Sequence, residues 1–310
     1  MNDEVELRHF RYFAAVAEEL HFGRAAKKLH ISQPPLSQQI RRFEEMVGHR
    51  LFARTSRAVK LTAAGDAMLE RARRTLHRVE EDLEFVRRVG RGETGSLRVG
   101  FIGSGMLTKL PAILGEYRRL YPDVELRLRE FYTSSLIEAI RDGSVDVGFL
   151  RDGGAIADLC VEPLLEEKLI AVVPVNHRLA RQRVIRIPQL RTEPFVFFPI
   201  SAGRTAWERT MKLCEEHGFH ANIVQEAPHW VTIVSLVAAG LGVTIAPECI
   251  RKIAGESVAC RPLSGHGTTC IELAFRRDDN SPVAREFCRL ARTLFTIRSS
   301  RQSSFSRSPA

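Results

Sequence analysis

The stretch that most constrains this chain covers residues 21–57, where the turn chemistry predicts two short helices joined by a tight turn. The first helix, over 24–29, contains Ala25 and Ala26, which are small enough to let a second helix approach closely. We expect Ser32 to cap the second helix, because its hydroxyl can accept a hydrogen bond from a free backbone N–H. Pro34 fits the first helical turn, where a missing N–H costs little. Gly48 should end this helix.

The second helix is predicted to present a polar face to a partner. Its apolar side chains recur at helical spacing, which leaves an outward set: Gln33, Ser37, Gln38, Arg41 and Arg42. A helix, a tight turn and a second helix with exposed amides and guanidinium groups is the arrangement that enters a DNA major groove. Glutamine can pair with adenine, and arginine with guanine or phosphate. Residues 24–60 contain nine Lys or Arg against two Glu. The alternative is a solvated helical pair in an ordinary basic protein, but turn, amides and charge together favour double-stranded DNA as the partner.

The residues after Gly48 mix apolar and basic side chains, which indicates a two-stranded wing with its tip at 55–58. Arg57 at the tip could enter the minor groove, where narrow A·T-rich DNA attracts arginine, or it could contact a phosphate. Both interpretations remain open. The expected DNA-binding residues are Ser32, Gln33, Pro34, Ser37, Gln38, Arg41, Arg54 and Arg57.

A long helix is predicted from Thr62 to about Arg91. Its apolar residues alternate in steps of three and four, a heptad pattern that requires a partner helix: Leu69, Ala72, Leu76, Val79, Leu83 and Val86. Packing against the helix's own domain would give the same stripe. Because the other faces are densely charged, we expect self-dimerisation through Leu69, Leu76, Val79 and Leu83. A dimer would read two half-sites of an inverted repeat.

Composition agrees with a nucleic-acid partner and with no membrane. The 310 residues are 44% hydrophobic and 27% charged, with a net charge of +9, which favours a polyanion. The acidic start lacks a signal peptide, and no apolar run reaches the length of a membrane span, so we expect a cytoplasmic protein. Six scattered cysteines show no metal-ligand spacing. No cofactor or metal is expected.

Beyond the linker over 90–96, three strands alternate with helices up to residue 150, which predicts a parallel sheet with crossover helices, and a second unit of strands and helices follows. The predicted strands are 97–102, 124–131, 145–150, 168–174, 194–199, 222–227, 241–247 and 270–276, and the last helix is 283–296. The Ser- and Arg-rich tail over 298–310 should be disordered.

Polar residues follow several of these strands, where open α/β sheets bind ligands. Their hydroxyls, amides and one arginine suit a carboxylate, although each one alone is typical of an ordinary helix cap. The expected effector-binding residues are Ser104, Thr133, Ser201, Arg204 and Trp230.

Residues 7–65, which include LRHFRYFAAVAEE, HFGRAAKKLHISQPPLSQQI and RLFARTSRAVKLTAAG, closely resemble the LysR-type transcriptional regulators. The resemblance extends to about Ile297. It implies a winged helix-turn-helix domain over 1–61, a linker and dimerisation helix over 62–92, and an effector-binding domain over 93–297. That domain would have two α/β lobes like a periplasmic binding protein: lobe I over about 96–164 and 268–297, and lobe II over about 165–267. Strands would cross between the lobes near 164–166 and 266–268.

The same resemblance implies roles for single residues. Gln33, Pro34, Ser37 and Gln38 correspond to groove contacts and Arg57 to the wing arginine. The motifs IGS, ending at Ser104, and YTS, containing Thr133, look like the hydroxyls that hold an effector carboxylate in the branch sensing aromatic-degradation acids such as muconates. Two departures are Gln38, often arginine in that branch, and Tyr132, often glycine. The implied partners are DNA, a small effector, RNA polymerase and further copies of the chain, as a homodimer or homotetramer.

An enzyme is the alternative from another class: a nucleotide-dependent oxidoreductase with an appended DNA-binding domain. VGFIGSG resembles the start of a dinucleotide-binding turn, but Thr108 stands where the third glycine would be. No hydrolase motif or metalloprotease motif is found. A purely architectural DNA binder would not need the C-terminal 200 or so residues.

Overall fold

The computed structural model describes residues 4–54, 58–265 and 267–296. The chain divides into two compact units, Met1–Arg88 and Val89–Ala310. No helix in the described residues has the length and apolar character needed to cross a membrane.

The first unit is a small helical core with a two-stranded wing. Its elements are α1 (Leu7–Glu19), α2 (Phe22–Lys28), α3 (Gln33–Val47), β1 (Phe52–Arg54), β2 (Val59–Leu61) and α4 (Ala63–Gly90), which runs two residues into the second unit. Strands β1 and β2 pair antiparallel, with Arg54 opposite Val59. The wing tip with Arg57 lies outside the described residues.

Two details of the predicted capping are wrong. Helix α2 begins at Phe22 because the His21 side chain accepts hydrogen bonds from the backbone N–H groups of Gly23 and Arg24, at 3.1 and 3.2 Å. Ser32 is the N-cap of α3, but its hydroxyl makes no capping hydrogen bond. The prolines at the start of α3, whose φ suits a helix, define this terminus.

Aromatic rings fill the centre of the first unit. Phe13 lies 5.3 Å from Phe52 and 6.0 Å from Phe43, measured between ring centroids. Leu36 and Ile40 of α3 are fully buried against them. Because the apolar side of α3 packs against this core, the opposite, polar side of the helix faces solvent.

The second unit alternates strands and helices over most of its length. Its elements are β3 (Gly95–Ile102), α5 (Leu110–Leu120), β4 (Val124–Phe131), α6 (Thr133–Arg141), β5 (Val147–Arg151), β6 (Leu159–Pro174), β7 (Ile185–Arg186), β8 (Pro194–Phe197), α7 (Arg204–Glu215), β9 (Asn222–Glu226), α8 (Trp230–Ala238), β10 (Thr244–Pro247), β11 (Val258–Ser264), β12 (Thr268–Arg276) and α9 (Pro282–Thr296). A 3₁₀ turn at Gly103–Leu107 replaces the first part of the helix predicted after β3.

The predicted parallel pairing of the first three strands, 97–102, 124–131 and 145–150, is confirmed, but the sheet as a whole is mixed. The main sheet has the order β4-β3-β5-β12-β6-β11-β7, and β10 also pairs with β6. Only β4, β3 and β5 run parallel as a group, whereas β12 is antiparallel to both β5 and β6. Antiparallel neighbours need no crossover helix, so the helix–strand alternation gave no signal for them.

Strand β6 carries the chain from one lobe to the other. Its first part pairs with β12 as far as Lys168, and from Leu169 onwards it pairs with β10 and β11. The crossing therefore lies two or more residues beyond the predicted 164–166. The return passes through Gly267, and His266 lies outside the described residues. The strand was predicted over 168–174 only, because the charged residues 166–168 interrupt the hydrophobic pattern before it, and β7 and β11 were not predicted.

Each lobe has its own core. In lobe I, α9 returns to pack against the sheet and α5: Phe287 lies 5.0 Å from Tyr117 between ring centroids, and the Tyr117 hydroxyl donates to the carbonyl of Val283 at 3.2 Å. Burial raises the pKa of Tyr117. Lobe II buries Val173 and Phe195 around its part of the sheet. Two separate cores leave a cleft between the lobes.

Candidate DNA-binding face and effector cavity

Helix α3 has one apolar and one polar side. Leu36, Ile40 and Phe43 are buried. The predicted groove-facing residues lie on the other side, where all but the half-buried Ser37 are exposed: Ser32, Gln33, Pro34, Ser37, Gln38 and Arg41. This face can supply amide, hydroxyl and guanidinium groups to the edges of bases.

Arg54 is held within the first unit. Its guanidinium pairs with Glu44 at 3.0 Å and lies 4.7 Å from the centre of the Phe22 ring. The other Glu44 oxygen accepts hydrogen bonds from the backbone N–H groups of Leu51 and Phe52, at 2.9 and 3.0 Å. Arg54 thus ties the wing to α3, which accounts for it without any DNA contact.

The heptad stripe of α4 divides into two parts. Leu69 and Ala72 pack against the core of the first unit, so packing within that domain explains these two positions. Leu76 and Val79 are half-buried. Further along, Leu83 is 50% and Val86 is 66% exposed. Phe85 and Val89, which were not assigned to the stripe, are also exposed. An uncovered apolar surface therefore remains on the C-terminal half of α4.

A cavity of about 510 Å³ lies in the cleft between the lobes. Three of the five predicted effector residues line it: Ser104 in the 3₁₀ turn after β3, Thr133 at the first position of α6, and Trp230 at the first position of α8. Ser104 and Thr133 are buried. Tyr132 is the N-cap of α6 and makes no side-chain capping bond, so the first N–H groups of α6 remain available as donors.

Ser201 and Arg204 are not among the cavity residues. The exposed Arg204 side chain points along α7 to Glu208, at 3.4 Å. The carbonyl of Ser201 accepts a hydrogen bond from the Ser134 hydroxyl, which joins the two lobes at the rim. The guanidinium of lobe II that does line the cavity belongs to Arg209, further along the same helix.

A buried ion pair forms the floor of the cavity, and sequence reasoning missed it. The Arg151 guanidinium donates to Glu167 at 2.7 Å, and the two side chains are 7% and 10% exposed. It also donates to the hydroxyls of Ser104 at 3.1 Å and Thr269 at 3.3 Å. Arg151 is the last residue of β5, one position beyond the predicted strand 145–150, and it was not predicted as a site residue. The sequence feature that could have revealed the pair is the adjacent Asp152, a second charged residue directly after an apolar strand.

Asp152 is almost fully buried and has a left-handed backbone, with φ of 48°. One carboxylate oxygen accepts from the Thr269 hydroxyl at 2.6 Å, and the other from the backbone N–H of Cys270 at 2.9 Å. Arg209 approaches within 3.6 Å. Lobe I and lobe II are thereby connected through β12 and α7 beneath the cavity.

Aromatic and aliphatic side chains make up much of the remaining wall. The Phe198 and Trp230 rings are 5.9 Å apart, and the same distance separates Tyr132 and His229 across the cleft. Met106 also lines the cavity. A small molecule with an apolar body and one polar end fits this combination.

The cysteines Cys214, Cys249 and Cys288 are buried, and burial disfavours the thiolate form. Cys249 lies 3.6 Å from the Arg151 guanidinium, and burial raises the pKa of its thiol to about 12. Burial likewise raises the pKa of Cys288 to about 12 and that of Cys214 to about 11. Within 4–54, 58–265 and 267–296, no group of three or more His, Cys, Asp or Glu side chains could hold a metal ion.

Comparison with known proteins agrees with both halves of this description. Residues 7–66 match the family model described as bacterial regulatory helix-turn-helix protein, lysR family, and residues 90–296 match the LysR substrate binding domain. The HTH-type transcriptional regulator AlsR of Bacillus subtilis (strain 168) is 38% identical over 288 residues, which covers 93% of this chain and 95% of AlsR. The Hca operon transcriptional activator HcaR of Escherichia coli (strain K12) is 36% identical over 285 residues, 91% of this chain and 96% of HcaR.

Among solved structures, full-length CbnR in complex with its target DNA superposes with a TM-score of 0.77 at 26% identity, covering 94% of this chain and all of CbnR. The oxidoreductase alternative is rejected, because the relatives matched over nearly their whole length are transcriptional regulators. The Gly103-x-Gly105 segment forms a 3₁₀ turn in the effector-binding unit. The chain belongs to the LysR family and is a DNA-binding transcriptional regulator with an effector-binding domain.

Proposed function

We propose that this regulator is a homodimer or homotetramer that binds an inverted-repeat promoter site and responds to a small carboxylate in the interlobe cavity. In this proposal residues 1–61 contact DNA, 62–92 dimerise and 93–297 bind the effector. The cavity supports the proposal: the buried Ser104 and Thr133 line it from lobe I, and the aromatic Phe198 and Trp230 line it from lobe II.

The DNA contacts are assigned to α3. The side chains expected to reach base edges or phosphates are Gln33, Ser37, Gln38 and Arg41. Ser32 and Pro34 would lie against the sugar–phosphate backbone of the DNA. The exposure of this face opposite a filled core supports the assignment. Arg54 is the least supported contact because Glu44 and Phe22 already account for it. Arg57 is retained from the family resemblance alone.

The dimer seam is assigned to the part of α4 that its own domain leaves uncovered. Leu76, Val79 and Leu83 would pack against a second copy, joined by Val86. Leu69 contributes mainly to the core of the first unit. A symmetric pair of reading helices suits two half-sites of an inverted repeat.

Effector binding is proposed to act through lobe closure. A carboxylate held by Thr133, Ser104 and the first N–H groups of α6 would place its apolar or aromatic body against Trp230, which suits an aromatic catabolite. The ligand can shift the balance only by binding one lobe arrangement more tightly than the other. The resulting change in geometry would alter DNA bending and contact with RNA polymerase. Because the target is chromosomal DNA, the protein would act in the cytoplasm.

The test is fluorescence anisotropy with full-length protein on labelled DNA from upstream of its own gene. We expect at least about a thousandfold preference for the inverted-repeat fragment over a scrambled one, and affinity that falls with salt. Arg41→Ala should weaken binding, whereas Gln225→Ala, an exposed change in lobe II, should not. Equal affinity for both fragments would refute site-specific reading.

A further inference from the structure

We infer that the cavity selects against a second negative charge, so that its effector carries a single carboxylate on an apolar or aromatic body. This inference rests on the proposed function and deepens it by naming the ligand class. It departs from the family motifs, which resemble those of regulators sensing diacids such as muconates. The observation behind it is the balance of charges around the cavity.

The first arginine of the cavity is already neutralised. Arg151 is paired with Glu167 at 2.7 Å in a site where both side chains are buried. The second Glu167 oxygen accepts from the backbone N–H of Cys249 at 3.1 Å. A ligand anion near Arg151 would therefore meet an ion pair rather than an uncompensated positive charge.

The second arginine is also matched by a carboxylate. Arg209 faces Asp152 at 3.6 Å, and Asp152 is held in place by Thr269 and the backbone of Cys270. Asp152 cannot withdraw without losing these hydrogen bonds in a buried position. Its negative charge therefore stays at the cavity, within reach of the half-exposed Arg209.

Glu130, whose side chain is exposed at the edge of the cavity, adds a further negative charge. It lines the cavity, and its carboxylate lies over Gly103 so closely that a Cβ on that glycine would overlap it. Within the described part of the chain, Glu130 makes no hydrogen bond or ion pair. Tyr132 and His229 also line the cavity, with their ring centroids 5.9 Å apart.

The available donors can offset one anionic charge. The Ser104 hydroxyl and the N-terminus of α6 provide for one carboxylate, joined by the Thr133 hydroxyl when it turns from the Arg151 carbonyl, to which it donates at 3.4 Å. A second carboxylate would meet Glu130 and Asp152, or else be desolvated against Phe198 and Trp230. Both positions are unfavourable, and a methyl group at the same place is not penalised in this way.

Matched pairs of acids, one with a single carboxylate and one with two, test this at about pH 8, where both carboxylates of a diacid are ionised. Isothermal titration calorimetry with the full-length protein would compare sorbate with muconate, which replaces the terminal methyl of sorbate by a carboxylate, and benzoate with terephthalate. In each pair of acids that the protein binds, we expect the monoacid to bind at least about tenfold more tightly than the diacid, a difference of about 1.4 kcal/mol in binding free energy.

The variant Glu130→Gln should narrow that ratio by raising diacid affinity about threefold, since water screens the charge of the exposed Glu130 side chain. Glu125→Gln is the control, since it removes one negative charge from the same strand but outside the cavity, and it should leave the ratio unchanged. Tighter diacid binding by the native protein, or a ratio unaffected by Glu130→Gln, would overturn the inference while leaving the effector site intact. If neither acid of either pair bound, the proposed carboxylate site would fail and the inference with it.

Discussion

Replacing Glu167 by glutamine should destabilise the second unit far more than the loss of one surface ion pair would. Glu167 is the only carboxylate that pairs with Arg151 among the described residues, and both side chains are buried. Glutamine keeps the shape of the side chain but leaves the guanidinium charge in a site from which water is largely excluded. The remaining contacts, to the hydroxyls of Ser104 and Thr269, carry no compensating charge.

The expected cost is about 3–5 kcal/mol in the free energy of unfolding, the usual range when one partner of a buried pair is removed. For a unit of this size, the midpoint of thermal unfolding should fall by about 6–20 °C. Removing both charges together, with Arg151→Met and Glu167→Met, should cost less than about 2 kcal/mol, because no charge is left unpaired. As a second control, Glu162→Gln breaks a 2.7 Å pair with Arg292 whose side chains are 32% and 43% exposed, and should cost about 1 kcal/mol at most.

Urea unfolding followed by tryptophan fluorescence measures this directly. Both tryptophans, Trp207 and Trp230, lie in the second unit, so the signal reports its unfolding alone. A loss below about 1 kcal/mol for Glu167→Gln would refute the reasoning. So would a double methionine variant that is no more stable than the single one.

Other parts of the proposal can be tested separately. Ser37→Ala combined with Gln38→Ala should weaken specific DNA binding about a hundredfold in anisotropy titrations and non-specific binding less than about threefold; equal losses would exclude groove reading. Leu83→Glu places a charge on the uncovered stripe of α4 and should yield folded monomers in light scattering, whereas an unchanged mass would remove that interface. Thr133→Val should raise the effector concentration for half-maximal response about tenfold without changing DNA affinity, and the absence of a shift would exclude this hydroxyl. Burial raises the pKa of Glu272, so its ionisation costs more in the folded than in the unfolded protein. The native protein should therefore lose stability as pH rises from about 4.5 through the folded-state pKa of Glu272, whereas the Glu272→Gln variant should not. A difference in the free energy of unfolding between the two proteins that stays constant from about pH 4.5 to 7.5 would contradict this.

Local rules accounted for the first unit and for most single elements. The stepped apolar residues of α3 and the glycine at its end predicted a helix whose polar face is free, and the structure has it over Gln33–Val47. Strand β4, predicted over 124–131, occupies Val124–Phe131. Such features depend on residues within a few positions of one another, and periodicity and turn chemistry express those relations directly.

The site depended on relations that no local pattern contains. Ser104 and Thr133 were predicted because they follow strands, where ligands generally bind. Arg204 was also predicted, although the α7 arginine that lines the cavity is Arg209. Nothing in the sequence says which way α7 faces. The pairing of Arg151 with Glu167 required β5, β12 and β6 to lie side by side, and an antiparallel return without a crossover helix leaves no mark on the alternation of elements.

The amino-acid sequence by itself determined a basic helix-turn-helix, a long helix with an apolar stripe and an α/β unit, because helix spacing, capping residues and strand hydrophobicity act over short distances. Only the tertiary structure decided that the arginines of the cavity are already paired and that Glu130 is not. Charge compensation depends on distance in space, and residues such as Arg151 and Thr269 meet only after the sheet has formed.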